Sequence, residues 1–236
     1  MAIDPLDEST ISVSIKLPFS PAESLGYALR SIDGGGTWTA MNLPNGEPVR
    51  FRTALDGWQA GGAVDQTLSR TQDAGATWQS VAVAIPPAYA GDRAAYSNPV
   101  FFGTSGVLPV FLWVPGGGPL IAAFYTTVTA GDRWSLAASV EAAPDGSSMP
   151  VVVTGPQSWL VDTNHGLLAT TDAKTFSPLA ASGLDPSTVA TLHATGTTIW
   201  AVTSVSSCTV AKTACTTSTW LERSSNNGEN WAPSSP

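Results

Sequence analysis

One pattern, Ser/Thr-x-Asp-x-Gly-x-x-Trp, recurs along the whole chain, and recurrence at a near-constant interval commits a sequence to a repeat architecture. It is complete as Ser31-Ile-Asp33-Gly-Gly35-Gly-Thr37-Trp38 and as Thr71-Gln-Asp73-Ala-Gly75-Ala-Thr77-Trp78. Thr129 replaces the Asp in the copy that runs from Thr127 through Gly131 to Trp134, and Asn226 replaces it between Ser224, Gly228 and Trp231. A fifth copy, from Thr170 through Asp172 to Phe176, lacks the glycine, is one residue short and ends in Phe. The starts at 31, 71, 127, 170 and 224 are spaced by 40, 56, 43 and 54 residues, near the roughly 40–50 of a four-stranded propeller blade.

A second element precedes most copies. In VRFRTALDGWQAGG (49–62), VVVTGPQSWLVD (151–162) and VATLHATGTTIWAVT (189–203), a short apolar strand and a turn lead into a strand opened by Trp58, Trp159 or Trp200. Each unit reads as strand A, a turn, strand B, a variable loop, strand C running into the motif, and strand D beginning at its aromatic residue. The expected fold is all-β: a single propeller of about five four-stranded blades, at 11–42, 48–82, 98–138, 149–180 and 188–233, or the same blades as part of a six- or seven-bladed ring. Residues 1–10 read as a tail, and the first unit supplies only two strands before its motif.

These residues resemble the Asp-box (bacterial neuraminidase repeat) family, and the strand-turn-Trp element is similar to propellers of the photosystem II stability and assembly factor type. The resemblance implies a propeller whose boxes are the turns between strands C and D. Side-chain chemistry agrees: Asp33, Asp73, Asp172 or Asn226 can accept hydrogen bonds from its own turn, Gly35, Gly75, Gly131 or Gly228 can take a positive φ, and the closing aromatic can wedge between blades. Ser31, Thr71, Asp33, Asp73, Asp172, Asn226, the four glycines, Trp38, Trp78, Trp134, Phe176 and Trp231 are therefore expected to be structural. One carboxylate per turn supplies neither the oxygens of a calcium site nor a hydrolytic pair, so no metal, cofactor or catalytic residue is assigned. Arg30, Arg70 and Arg223 each precede a box and read as part of the repeat, packing along strand C.

Sialidases share the box, but the family's Arg-Ile-Pro signature is missing, and too few arginines remain outside the repeat for its arginine triad. A net charge of −8 with three lysines argues against nucleic acid. The uncharged run 94–131 is long enough to span a bilayer, yet Pro115-Gly116-Gly117-Gly118-Pro119 at its centre favours two buried strands and a turn over a membrane span. MAIDPLDEST carries no secretion signal, whereas Cys208 and Cys215, close together without a third ligand, read as a disulfide in an extracellular or periplasmic protein.

Because boxes join C to D, strand polarity gathers the B–C loops and blade-to-blade connections at the opposite end. The ligand-face candidates there are Asp65, Tyr89, Asp92, Arg93, Tyr96, Trp113, Asp162 and His165, richest in segment 85–98. The expected function is a non-catalytic recognition or scaffold module, monomeric, with a protein or neutral glycan as partner; the alternative is a glycan-directed hydrolase of the sialidase-like superfamily.

Overall fold

The computed structural model describes residues 2–20, 23–62, 67–143, 150–163, 166–208 and 215–234. They form a β-propeller fold of five successive antiparallel blades, with no α-helix among the described residues. Blade 1 is β1 (Ala2–Pro5), β2 (Ile11–Ser20), β3 (Glu23–Ser31) and β4 (Thr39–Met41), paired in that order. Blade 2 follows as β5 (Val49–Phe51), β6 (Gly57–Gly61), β7 (Thr67–Thr71) and β8 (Gln79–Ser80). Blade 3 has an added strand, β9 (Arg93–Tyr96), beside β11 (Ser105–Trp113), together with β10 (Val100–Phe102), β12 (Leu120–Thr127) and β13 (Ser135–Ala143). Blade 4 is β14 (Val151–Val153), β15 (Trp159–Thr163), β16 (Gly166–Thr170) and β17 (Ser177–Pro178). Blade 5 is β18 (Val189–Thr195), β19 (Thr198–Cys208), β20 (Cys215–Ser224) and β21 (Ala232–Pro233).

The chain divides into two compact units, residues 1–112 with 124–135 and residues 113–123 with 136–236. Residues expected to be a tail instead supply β1, whose Ile3 pairs with Val13, so the first blade has all four strands. Four residues with little hydrophobic periodicity gave no strand signal of their own; pairing with β2 makes the strand. The 94–131 run does hold two long strands, β11 and β12, and among the described residues no helix is long and apolar enough to cross a membrane. Cys208 pairs with Cys215 across the β19–β20 hairpin, and their sulfurs are bonded.

Each motif folds into the same self-satisfied turn. Ser31 Oγ donates to Asp33 Oδ1 at 2.8 Å and accepts from the Gly35 amide at 2.8 Å, while Thr37 donates its amide to Asp33 Oδ1 (2.8 Å) and its hydroxyl to Oδ2 (2.7 Å). Thr71, Asp73, Gly75 and Thr77 repeat the arrangement. Asn226 stands in with one oxygen, accepting from Ser224 and the Asn230 amide, and Thr129 accepts the Arg133 amide at 3.2 Å.

The carboxyls of Asp33 and Asp73 are held down at about 2, chiefly by the Thr37 amide for the first and the Thr77 hydroxyl for the second. A depressed folded pKa stabilises the fold above the unfolded value of 3.8 and loses that contribution as the pH falls through 2. The melting temperature should therefore fall between about pH 4 and pH 2, and in an Asp33→Asn, Asp73→Asn variant calorimetry should record a shallower fall.

The residue before the motif glycine is also left-handed: φ is +63° at Ala74 and +54° at Ala130. A β-carbon is strained there, and glycine is not. Ala74→Gly should raise stability by about 0.5–1 kcal/mol, net of glycine's greater unfolded-state entropy, in a denaturant titration.

Blades pack by a repeated rule, most legible in the first unit. Trp78 seats on the cluster of Ala28, Val49 and Phe51 and donates its indole N–H to the Asn42 carbonyl of blade 1 at 2.6 Å. Trp134 meets Trp58 of blade 2 edge-on at 5.8 Å, with Phe101 beside both. The motif aromatic thus wedges against the blade before it. Trp38 departs from this expectation: it is 42% exposed and donates only to the Gly35 carbonyl of its own turn.

The strand-B tryptophans were read as one repeated position, and register separates them. Trp58 pairs with Arg70 and Trp200 with Arg223, one residue before the motif Ser/Thr, but Trp159 pairs with Thr170 itself. A one-residue shift turns a side chain to the other face of its sheet, where Trp159 lies 6.3 Å from Phe176 of its own blade. The strand-C arginines do more than lay their stems along the sheet, since Arg30, Arg70 and Arg223 stack on Phe51, Trp58 and Trp200 at 4.7, 5.0 and 5.4 Å.

Candidate functional site

In blade 2, Thr71 and Gly57 mark the motif end of the sheet, and Thr67 and Gly61 mark the other. From Gln79, opposite Arg70, β8 runs away from the motif, and Val81 still bonds the Leu68 carbonyl. Segment 85–98 therefore starts at the end of blade 2 opposite its motif turn. It is more ordered than a connector. Pro86 and Pro87 open a 3-10 turn over Pro87–Tyr89, Gly91 reverses the chain at φ +96°, and β9 then joins the edge of blade 3, followed by a Ser97 amide bond to the Pro109 carbonyl.

This route brings tyrosines together. Tyr125, on β12, is 1% exposed and donates to the Ala84 carbonyl at 3.1 Å, just before the segment. Its hydroxyl is pushed up to about 12, first by burial and then by the neighbouring Tyr96 and Tyr89. Tyr96 is half-buried, and burial pushes its hydroxyl up as well. Tyr89 and Asp92 are half-exposed, and Arg93 is exposed. Tyr89, Tyr96 and Tyr125 thus influence one another within the first unit, on and beside a segment that also carries Asp92 and Arg93. The sequence reading missed Tyr125, which is hidden in the uniformly apolar strand LIAAFYTT.

The same end of blades 1 and 2 carries a polar network that sequence reasoning also missed. Gln59, fully buried, donates to the carbonyls of Glu47 (2.7 Å) and Asn45 (3.0 Å), while Asn45 donates to Gly61 (3.0 Å) and Thr67 (3.3 Å). Glu47 is paired with Lys16, and Asn98 donates to the Pro48 carbonyl at 3.0 Å. The network ties the 41–48 loop to its blades, so that this loop is a built surface. The one cue was a lone Gln in the otherwise apolar strand GWQAG.

The other candidates lie apart in sequence. Trp113, half-buried, ends β11, and Asp162 is buried in β15; both belong to the second unit. Burial pushes the Asp162 carboxyl up to about 6, and its Oδ1 has no hydrogen-bond partner among the described residues. Asp65 and His165 lie outside the described residues. Asp56 is engaged by Arg52 (2.6 Å) and Arg70 (2.7 Å), and no group of three His, Cys, Asp or Glu suited to a metal ion occurs among the described residues.

Comparison with known proteins yields fold likeness alone. No protein-family model and no curated protein matches the chain. Among solved structures, the GH74 xyloglucanase from Xanthomonas campestris aligns with TM-score 0.52 at 18% identity, covering 98% of this chain and 37% of that one. The α-L-arabinofuranosidase from Fusarium graminearum aligns with TM-score 0.50 at 14% identity over 90% of this chain and 71% of that one. YCF48 from Cyanidioschyzon merolae gives TM-score 0.48 at 15% identity, with 99% and 88% covered. The chain thus spans little more than a third of the xyloglucanase whose fold it shares.

Proposed function

We propose that this chain is a non-catalytic recognition module of the Asp-box propeller type, working in an extracellular or periplasmic setting. It binds a protein or a neutral glycan through segment 85–98. The observation that carries the reading is the proximity of Tyr89 and Tyr96 to Tyr125, in a segment that also carries the partly exposed Asp92 and exposed Arg93 and that starts at the end of blade 2 opposite its motif turn. Aromatic faces offer apolar area to a sugar ring or a protein side chain, and a single acid and base fix its orientation. The Cys208–Cys215 disulfide supports the oxidising setting. The acidic balance of 18 against 10 favours neutral or basic partners.

Asp162 supports a second reading, that of a glycan-directed hydrolase, because a buried carboxyl poised near 6 has the protonation a general acid needs. One assay pair separates the two: a glycan array and a fluorogenic glycoside panel on the same preparation. Arg93→Ala, Tyr96→Ala is expected to keep most of the parent melting temperature and to lose array or partner binding at least tenfold by biolayer interferometry. Unchanged affinity would remove segment 85–98 from the site. Turnover of any glycoside that Asp162→Asn abolishes would select the hydrolase.

A further inference from the structure

Arg30 and Arg70 hold one position of the repeat, immediately before the motif Ser31 or Thr71. In blade 2 that arginine is matched by two acids. Arg70 donates Nε to Asp56 Oδ1 at 2.7 Å and Nη1 to Asp132 Oδ1 at 2.6 Å. Asp56 precedes Gly57, the strand-B residue that pairs with Thr71, and Asp132 follows the motif Gly131 of blade 3.

Blade 1 has the arginine and neither acid. Ile11 pairs with Ser31, so Thr10 stands where blade 2 has Asp56, and Ala76 of blade 2 stands where blade 3 has Asp132. Arg30 is nevertheless only 8% exposed and stacks on Phe51. Among the described residues its hydrogen bonding is one donation, from Nη2 to the Ala54 carbonyl, and its buried Nε has no partner. Asp7, whose charge reaches Arg30, is engaged in its own turn by Ser9 and Thr10. Burial pulls both guanidiniums down; Asp56 and Asp132 more than reverse this at Arg70, while Arg30 stays lowered. Burying a guanidinium without a carboxylate is costly. Beside it the two blades leave a cleft of about 420 Å³, bordered by Thr37, Thr39, Asn42, Asp73 and Ala76 and lying wholly within the first unit. In the corresponding cleft between blades 2 and 3, Arg70 and Asp132 are already joined.

We propose that the cleft between blades 1 and 2 binds the carboxylate of an aspartyl or glutamyl side chain from a partner peptide, which takes beside Arg30 the place that Asp132 takes beside Arg70. The repeat itself specifies this occupant, since blade 3 shows a peptide-borne carboxylate at the matching position. A guanidinium fork fits the two oxygens of a carboxylate, and Thr39 and Asn42 border the rest of the cleft with a hydroxyl and an amide. The ionised Asp73 carboxylate at the cleft disfavours a doubly charged phosphate or sulfate. The site lies at the motif end of its blades, whereas segment 85–98 starts at the opposite end of blade 2, so the two assignments stand or fall separately.

Side-chain NMR tests it, by following the Arg30 and Arg70 Nε–H signals while N-acetylaspartate N-methylamide is titrated in. The Arg30 signal should move saturably, and that of Arg70, whose acids are built in, should stay still. The asparagine counterpart of the probe, and potassium chloride at matched ionic strength, should leave both in place. Ala76→Asp supplies the missing acid on a turn whose blade 3 copy already carries Asp132 at that position. It should move the Arg30 signal without any probe and weaken probe binding at least tenfold. An unresponsive Arg30 signal, a response shared equally by Arg70 or produced by potassium chloride, or probe binding unchanged in Ala76→Asp would each overturn the proposal. Tighter binding of D-glucuronate than of the aspartyl probe would overturn it too, by making the occupant a saccharide.

Discussion

Trp58→Ala is expected to destabilise the fold by about 3–5 kcal/mol, the range for deleting a fully buried large aromatic side chain. Trp58 is 1% exposed and lies against three different partners: Phe101 at 5.7 Å, Trp134 at 5.8 Å and the Arg70 guanidinium at 5.0 Å. Removing it leaves a cavity that rings on a rigid sheet cannot close, and it strips the stacking surface from an arginine that also bridges Asp56 and Asp132. Urea denaturation against the parent protein measures the loss. A change below about 1 kcal/mol would mean that the wedge between blades 2 and 3 is not a main source of stability.

Gly131→Ala should cost a similar amount, about 3–5 kcal/mol, through two independent mechanisms. The added β-carbon would lie 2.3 Å from Trp58 Cζ2, and φ at this position is +91°, where an L side chain is strained. Gly35→Ala has the strain at φ +96° without the clash, since its nearest neighbour is 3.6 Å away. Comparing the two substitutions by calorimetry isolates the packing share; equal losses would show that backbone strain alone accounts for the glycine.

How much of this was legible in the sequence depended on whether a feature repeats. The motif turns were readable because each is self-contained: Ser31, Asp33 and Thr37 satisfy one another within seven residues. Strand order followed from them. Trp159 was misread because its cross-strand register against the motif is one residue off that of Trp58, which alternation turns into a change of face. The strand β9 was unreadable for a different reason, as RAAY has little strand propensity and forms one where nine-residue β11 offers an edge. For the candidate site, Tyr89, Asp92, Arg93 and Tyr96 could be singled out because the repeat does not require them. Tyr125 could not, because eight apolar or small residues in a row hide which face each one takes. The Gln59 network was equally hidden, since its members come from loops and strands 12 and 14 residues apart and meet only once the blades pack.

The hairpin of β19 and β20 continues past the rest of its sheet: β18 reaches Thr203 and β21 reaches Glu222, so among the described strands Ser204–Cys208 and Cys215–Thr219 pair only with each other. A bare two-stranded ribbon is marginal in water, and this one is nearly all serine and threonine, with a single Ser206–Thr217 hydroxyl contact as its described side-chain hydrogen bond. Beyond its own ladder, its one covalent tie is the Cys208–Cys215 bond, outside the hydrophobic core that holds the blades. Reducing agents thus act on this ribbon while sparing the packing of the five sheets, and the tip becomes the one described place where local order follows the redox state of the surroundings more than the sequence of the blade.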